Sequence, residues 1–366
     1  MFEVNRDRLI NNFIELVKIS SPSWHEQRLI DYITNEFQGL NVDYESHKCG
    51  DSYNILAKVD GNKSGDPILF SCHLDTVLPC ENINPVVSAT KISSDGTSIL
   101  GADDKAAIAS FLEALYYLKE NNISHRPVEF LFTCAEEVGL YGIKGFDISL
   151  LKSKIAFVFD SAGEIGRIVL KAPYHISMDV TVNGKAAHAG IMPECGISAI
   201  RALAEMITKI PHGRIDKETT ANVGIISGGK ATNIVAEEAG CKLEIRSISY
   251  KKLKATEIEI KNVINNVSKS YRAKTQIKIN MEYSGFSIDQ SEKIIKIIEK
   301  ALGKIRIKPK FEVSGGGSDT NVINKAGIKA VNLSIGMMNV HTKNEFIYIK
   351  DLVDGARLVL SIIDSV

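Results

Sequence analysis

An α/β fold interrupted by a second, smaller domain is predicted by three features of the sequence. Short continuous apolar runs, such as Ile68-Leu-Phe and Phe130-Leu-Phe, alternate with helical periodicity, as strands buried on both faces of a sheet require. After Pro173 the pattern switches to period-two alternation, and the α/β pattern resumes near residue 284. The 366 residues of the chain suit roughly two domains at about 150 residues each.

Leu9, Ile10, Phe13, Ile14 and Val17 recur at helical spacing, so a first helix is expected until Ser20-Ser21-Pro22 stops it. Ser23-Trp-His-Glu26 has the form of a capping box, which predicts a second helix opened by the Ser23 hydroxyl and the Glu26 carboxylate. Strands are expected over 54–59 and 67–72, a helix over 104–120, and strands over 128–134 and 155–159. A strand over 175–182, a helix over 193–210, strands over 222–226 and 241–246, a helix over 253–270 and a strand over 275–281 follow. Their order, β-α-β-β-α-β, is that of a ferredoxin-like unit. A helix over 291–302, a strand ending near Val313, Gly315-Gly-Gly-Ser-Asp319, a strand over 330–334 and a helix over 351–363 return to the first pattern. The domains are therefore expected at 1–173 with 284–366, and at 174–283. The basic stretch 293–310 reads as a solvated helix face.

Composition excludes several classes. Lysine plus arginine number 44 and aspartate plus glutamate 44, so the electrostatic footprint of a nucleic-acid binder is missing. No apolar run approaches the roughly 18–20 residues that cross a bilayer, so no membrane partner is expected. The charged, amphipathic start has no signal-peptide core, and the six cysteines show no paired spacing. Both features predict a cytoplasmic protein with reduced thiols.

Four segments put acidic or histidine side chains just past the C-terminal end of an expected strand. They carry His73 and Asp75, Glu136 and Glu137, Asp160, and His341; a fifth, Gly101-Ala-Asp103-Asp104-Lys105, opens a helix. Ligands of open α/β sheets bind outside those strand ends, so these side chains are expected to converge. Imidazole nitrogen and carboxylate oxygen are donors for zinc and its divalent neighbours. In His73-Leu-Asp75 the spacing of two turns both side chains to one side of an extended segment, so His73 can bind metal while Asp75 orients nearby groups. Glu136 and Glu137 point in different directions, so one can bind metal while the other handles a proton. His25, His47, His125, His175 and His212 lack partners at metal spacing, and Cys72 reads as strand filler.

His73-Leu-Asp75-Thr, Gly101-Ala-Asp103-Asp104-Lys105, Glu136-Glu137-Val-Gly139, Asp160, Gly184-Lys-Ala-Ala-His188 and His341 resemble, in order, the motifs of the two-zinc exopeptidases. That family includes tripeptidase T, carboxypeptidase G, aminoacylase and succinyl-diaminopimelate desuccinylase, and the tripeptidase T-like members are the nearest in pattern. A second two-metal aminopeptidase family shares several of these pairs. It places its extra domain between the first His-x-Asp and the bridging aspartate, where this chain has too few residues to hold one. The resemblance implies two divalent ions per chain, zinc with cobalt or manganese as alternatives. His73, Asp103 and Asp160 would hold one, and Asp103, Glu137 and His341 the other, with Asp103 bridging and the Asp103–Asp104 peptide cis. It further implies Glu136 as general base, Asp75 as a catalytic support, and His188 reaching the partner subunit's oxyanion from a dimerising lid domain. Asn233 and Arg246 would hold a substrate carboxylate, and the glycine loop at Gly316 would let the substrate approach closely. The implied activity is aminopeptidase action on tripeptides by a homodimer. Carboxypeptidase or N-acyl-amino-acid deacylase action is the alternative within the family, and a metal-binding relative without catalysis is the contrasting class.

Overall fold

The structure, a computed structural model, describes residues 2–366. Its elements up to the second domain are α1 (Arg6–Lys18), α2 (Gln27–Leu40), β1 (Asp43–Cys49), β2 (Ser52–Val59), β3 (Ile68–His73), β4 (Val86–Val87), β5 (Lys91–Ser93), α3 (Ala102–Glu120), β6 (Val128–Thr133), α4 (Tyr141–Gly145), β7 (Ile155–Ser161) and β8 (Arg167–Ala172). The second domain contributes β9 (Tyr174–Asn183), α5 (Ala199–Lys209), β10 (Gly213–Arg214), β11 (Thr219–Gly228), β12 (Glu238–Ser247), α6 (Tyr250–Tyr271) and β13 (Lys274–Tyr283). After it come β14 (Phe286–Ser287), α7 (Lys293–Lys304), β15 (Lys310–Val313), α8 (Asp319–Lys325), β16 (Lys329–Ser334), β17 (Met337–Met338), β18 (Phe346–Tyr348) and α9 (Ile349–Ile363). The chain divides into two compact units. One holds the residues up to Leu170 with Ser287–Ser314 and Ser318–Val366; the other holds Lys171–Phe286 with Gly315–Gly317.

In the larger unit the main sheet runs β1-β2-β6-β3-β7-β16-β8-β14, with β15 on β8. The middle of this mixed sheet is parallel: β3 pairs with β6 and with β7, and β16 pairs with β7. β3 and β6 are buried along their length and β7 and β16 through their middles, as their continuous apolar runs predict. Phe70 of β3 stacks on Phe130 of β6 at 5.4 Å and meets Phe157 of β7 at 5.7 Å, while Phe111 of α3 lies 5.4 Å from Phe130. Burying one such ring contributes about 1.5–3 kcal/mol. The cluster therefore fixes the strands whose C-terminal ends carry the polar residues. Helix α3 is buried from Ala102 to Leu115, and its alanines let it lie close against β3 and β7 while α1 and α9 cover it.

In the smaller unit an antiparallel sheet runs β10-β11-β12-β9-β13, and α5 and α6 cover one face. Ile176, Met178, Val180 and Val182 of β9 alternate into the core with Leu243 and Ile245 of β12, against Leu203 of α5 and Ile260 of α6. This is the ferredoxin-like unit expected from the period-two pattern. Its edge is β11, where β10 pairs only with Thr220 and Ala221; beyond them Ile225 is 59% and Ile226 61% exposed.

Two expectations need correction, and one strand is additional. The Ser23–Glu26 pair is not a capping box: α2 begins at Gln27, Glu26 at its N-cap makes no side-chain cap and accepts the N–H groups of Trp24 and Ala135, and the Ser23 hydroxyl donates to Asp75. The helix expected from residue 193 starts at Ala199, because Pro193–Cys195 forms a separate tight turn and Ser198 makes the cap. Strand β1 was not expected, since Asp43-Tyr-Glu-Ser-His-Lys-Cys has no apolar alternation at this exposed sheet edge.

Candidate metal centre

The C-terminal ends of β3 and β7, the start of α3, the loop after β6 and the turn after β17 bring His73, Asp160, Asp103, Glu137 and His341 together. His73 is 2% exposed, and its Nε2 lies 3.0 Å from Asp103 Oδ1 and 3.7 Å from Asp160 Oδ1. His341 Nε2 lies 3.1 Å from Asp103 Oδ2 and 3.0 Å from Glu137 Oε1. The two oxygens of Asp103 thus face different imidazoles, and each imidazole nitrogen faces two carboxylates. His73 Nδ1 is 2.8 Å from the Asp75 carbonyl oxygen, an arrangement that puts the ring proton on Nδ1 and leaves the Nε2 lone pair for the site. The Asp103–Asp104 peptide is cis. Asp104 Oδ2 accepts the His73 backbone N–H at 3.2 Å, while its Oδ1 has no hydrogen-bond partner.

The charge balance fits a divalent cation. Buried Asp103, Asp104 and Asp319 and the part-buried Asp160, Glu136 and Glu137 crowd round two imidazoles, the buried His73 and the half-exposed His341. Burial first, and then neighbouring carboxylates, push the carboxyls of Asp160 and Glu136 well above the usual range. Asp103 is held low: burial opposes its charge, but its contacts with His341 and His73 prevail. Contacts with Asp103 and Glu137 carry His341 up to about 10. Burial lifts Asp319 to about 6; its Oδ1 has no hydrogen-bond partner and its Oδ2 accepts the Thr133 hydroxyl. Two sets of ligand atoms lie within 4.8 Å of one another: His73, Asp104 and Asp160; and His73, Asp103 and Glu137. Imidazole and carboxylate donors at this spacing suit zinc and its divalent neighbours.

Buried carboxylates hold the loop after β6. Asp75 Oδ1 accepts the N–H of Glu136 at 2.8 Å and its Oδ2 that of Glu137 at 3.1 Å, while the Ser23 hydroxyl donates to Oδ2 at 2.6 Å. Glu26 accepts the N–H of Ala135 at 2.9 Å. Three successive N–H groups are therefore gripped from below. This fixes Ala135 at φ +48, a backbone conformation that costs a non-glycine residue about 1–3 kcal/mol and persists only where its surroundings impose it. Ser23 and Glu26 are the residues that sequence reasoning misassigned. Asn332 is one it missed: its side chain exchanges hydrogen bonds with the backbone N–H and carbonyl of Asp160.

The remaining expected residues belong to the smaller unit. His188 and Asn233 are exposed on two loops that pair into one double turn, in which the Ala189 N–H donates to the Asn233 carbonyl at 2.9 Å and His188 bridges to Ile234. Arg246 is half-buried at the other end of β12, with Nε and Nη2 on the Glu244 carboxylate at 3.1 and 3.0 Å. The turn joins β12 at Glu238, so roughly 25 Å of strand separates Arg246 from it. A joint grip on one carboxylate by Asn233 and Arg246 of the same chain is thereby corrected. Gly316 is half-buried, and beside it a Cβ on Gly317 would meet the Tyr283 ring at 2.3 Å, which explains a glycine there.

The fold and the site together define a metal-dependent peptidase. A peptidase dimerisation domain model matches residues 173–272, and a model of peptidase family M28 matches 54–191. The uncharacterised protein YqjE of Bacillus subtilis is 39% identical over 99% of both chains. The solved aminopeptidase PepT of Bacillus cereus is 39% identical over 99% of both chains, with a TM-score of 0.90. A solved tripeptidase of Staphylococcus aureus is 34% identical over 98% of both chains, with a TM-score of 0.93. The chain belongs to the M20 peptidase family. Among the described residues, no helix is long and apolar enough to cross a membrane.

Proposed function

We propose that the protein removes N-terminal residues from short peptides, tripeptides above all, at a centre of two divalent metal ions. The observation that carries this reading is Asp103, whose two carboxylate oxygens face separate His–carboxylate sets, as a bridging ligand must. His73, Asp103 and Asp160 would hold one ion, and Asp103, Glu137 and His341 the other. Asp104 Oδ2 accepts the His73 backbone N–H, and we assign Asp104 to supporting His73 rather than to the ligand set. Zinc suits the donors, and cobalt or manganese can replace it. When bound, the pair polarises the scissile carbonyl and lowers the pKa of the attacking water. Glu136 takes the proton of that water and delivers it to the leaving amine. Asp75 keeps Glu136 and Glu137 in place through their backbone N–H groups and fixes the His73 ring.

The solved aminopeptidase and tripeptidase support the substrate class. Arg246 and the His188–Asn233 turn lie at opposite ends of one sheet, and we assign them to one site as parts of different subunits. Arg246 binds the C-terminal carboxylate of the peptide, the partner's turn stabilises the oxyanion through the imidazole, and the loop at Gly316 admits the substrate backbone. The dimerisation-domain match and the unpaired stretch of β11 support a homodimer joined through the inserted unit. The cytoplasm, where short peptides are recycled, is the compartment that fits. Digestion of defined di-, tri- and tetrapeptides, free and N-acetylated, by the metal-loaded protein tests this reading. Free tripeptides should lose their first residue fastest; release of the last residue, or preference for N-acylated amino acids, would replace it by the carboxypeptidase or deacylase alternative.

A further inference from the structure

We propose that Glu345 is a positioning residue that sets the Asp103 carboxylate and the His341 imidazole as one unit. It lies four residues beyond His341 and is 1% exposed. Its Oε2 accepts the N–H groups of Leu100 at 2.8 Å and Gly101 at 2.7 Å, and its Oε1 accepts that of Asp103 at 3.0 Å. Its own backbone closes the turn of His341: its N–H donates to the Thr342 carbonyl at 3.2 Å, and its carbonyl accepts the Ser94 N–H at 3.0 Å. One side chain thus ties the backbone entering α3, with Gly101 at φ +77, to the turn that holds His341 at φ +61. The distance of 3.1 Å between His341 Nε2 and Asp103 Oδ2 is set across this tie.

The inference rests on the two-metal reading above. The N–H groups at a helix start have no partner within the helix, and a carboxylate satisfies them with both position and charge. An amide cannot replace it. In Glu345→Gln one accepting oxygen remains, and the NH2 group faces either the Leu100 and Gly101 donors or the Asp103 donor. The backbone must shift on one side, and a bridging carboxylate passes that error to both ions. Groups that orient metal ligands in this way are worth roughly 10–100-fold in metal affinity.

The test uses the full chain, stripped of metal, with zinc titrated against a competing chelator and the visible spectrum of the cobalt-loaded form as a probe of ligand geometry. Thermal melting of the metal-free forms checks folding. Glu345→Gln should melt cooperatively without metal, bind zinc roughly 10–100-fold more weakly and give an altered cobalt spectrum. Glu345→Asp, with both oxygens on a shorter stem, should fall between it and the unmodified chain. Unchanged zinc affinity and cobalt spectrum in Glu345→Gln overturn the proposal, whether or not its melting temperature falls; if that variant does not fold, unchanged values in Glu345→Asp do the same. An unmodified chain that takes up no zinc overturns the two-metal reading, and this inference with it.

Discussion

The two units hold their functional residues in opposite ways. In the larger unit the expected metal ligands sit on strand ends, a helix start and the loops after β6 and β17, and buried partners fix much of their backbone: Asp75 and Glu26 hold the Glu136–Glu137 loop, Asn332 flanks Asp160, and of the five only His341 is half exposed. In the smaller unit His188 and Asn233 lie on an exposed turn, and Arg246 is engaged by Glu244 in its own strand. A buried, over-determined site is ready for its ligand before the ligand arrives. An exposed turn acquires a fixed place only when something else, a second subunit or a substrate, covers it.

The comparison breaks most easily at Glu136. Chelation should abolish activity, and zinc, cobalt or manganese should restore it. Glu136→Gln should keep two metals by elemental analysis yet lose about a thousandfold in kcat. Near-normal turnover would move the base elsewhere. His188→Ala should cost roughly 10²–10³ in kcat if its imidazole meets the oxyanion. Ile226→Lys, on the exposed edge of β11, should give a monomer by sedimentation with a similar loss; a fully active monomer would leave the turn without a role.

A milder test concerns the carboxylate. C-terminal amidation of a good tripeptide should lower kcat/KM by roughly 10- to 150-fold, the worth of one charge-assisted hydrogen bond. Arg246→Ala should cost as much on the free acid and little more on the amide. Equal rates for acid and amide would refute carboxylate capture.

Stability sharpens the contrast further. Burial pushes the Asp160 and Glu136 carboxyls up, and contacts with Asp103 and Glu137 push His341 up to about 10. The folded, metal-free protein therefore binds more protons than the unfolded chain. Its melting temperature should fall as pH rises from about 4 upward, and bound metal should remove that slope. In the smaller unit the sign reverses. The His175 imidazole, followed by the Arg246 guanidinium, holds the Glu244 carboxyl at about 2, below its ordinary 4.5. Its contribution is complete above about pH 4.5 and is lost as pH falls toward 2. Glu244→Gln should lower the melting temperature slightly at pH 7, and by less at pH 3.5.

Legibility in the sequence follows the same division. The strands that carry the site were readable because burial on both faces leaves an unbroken apolar run, as in Phe130-Leu-Phe. The His-x-Asp and Glu-Glu pairs follow such strands and the Asp-Asp pair opens a helix, and together they are donors that divalent ions prefer. What escaped was tertiary. Ser23 and Glu26 have the spacing of a helix cap, and nothing local says that loops distant in sequence will claim both side chains. Edge strand β1 escaped because water, not a core, meets its side chains. The separation of Arg246 from Asn233 was hidden because distance along a sheet depends on register, which a single strand does not reveal.

The strand Lys329–Ser334 is the last of the large sheet to be synthesised after the inserted unit, yet it lies inside the sheet, between Ile155–Ser161 and Arg167–Ala172. On the ribosome those two neighbours must therefore wait for their shared partner while the entire inserted unit is translated. Open strand edges are templates for mispairing, and nascent domains fold as they emerge. The interval is closed by β16 a few residues before His341 appears, so the sheet and the last of the proposed metal ligands are completed almost together, and a nascent chain released before that point carries neither.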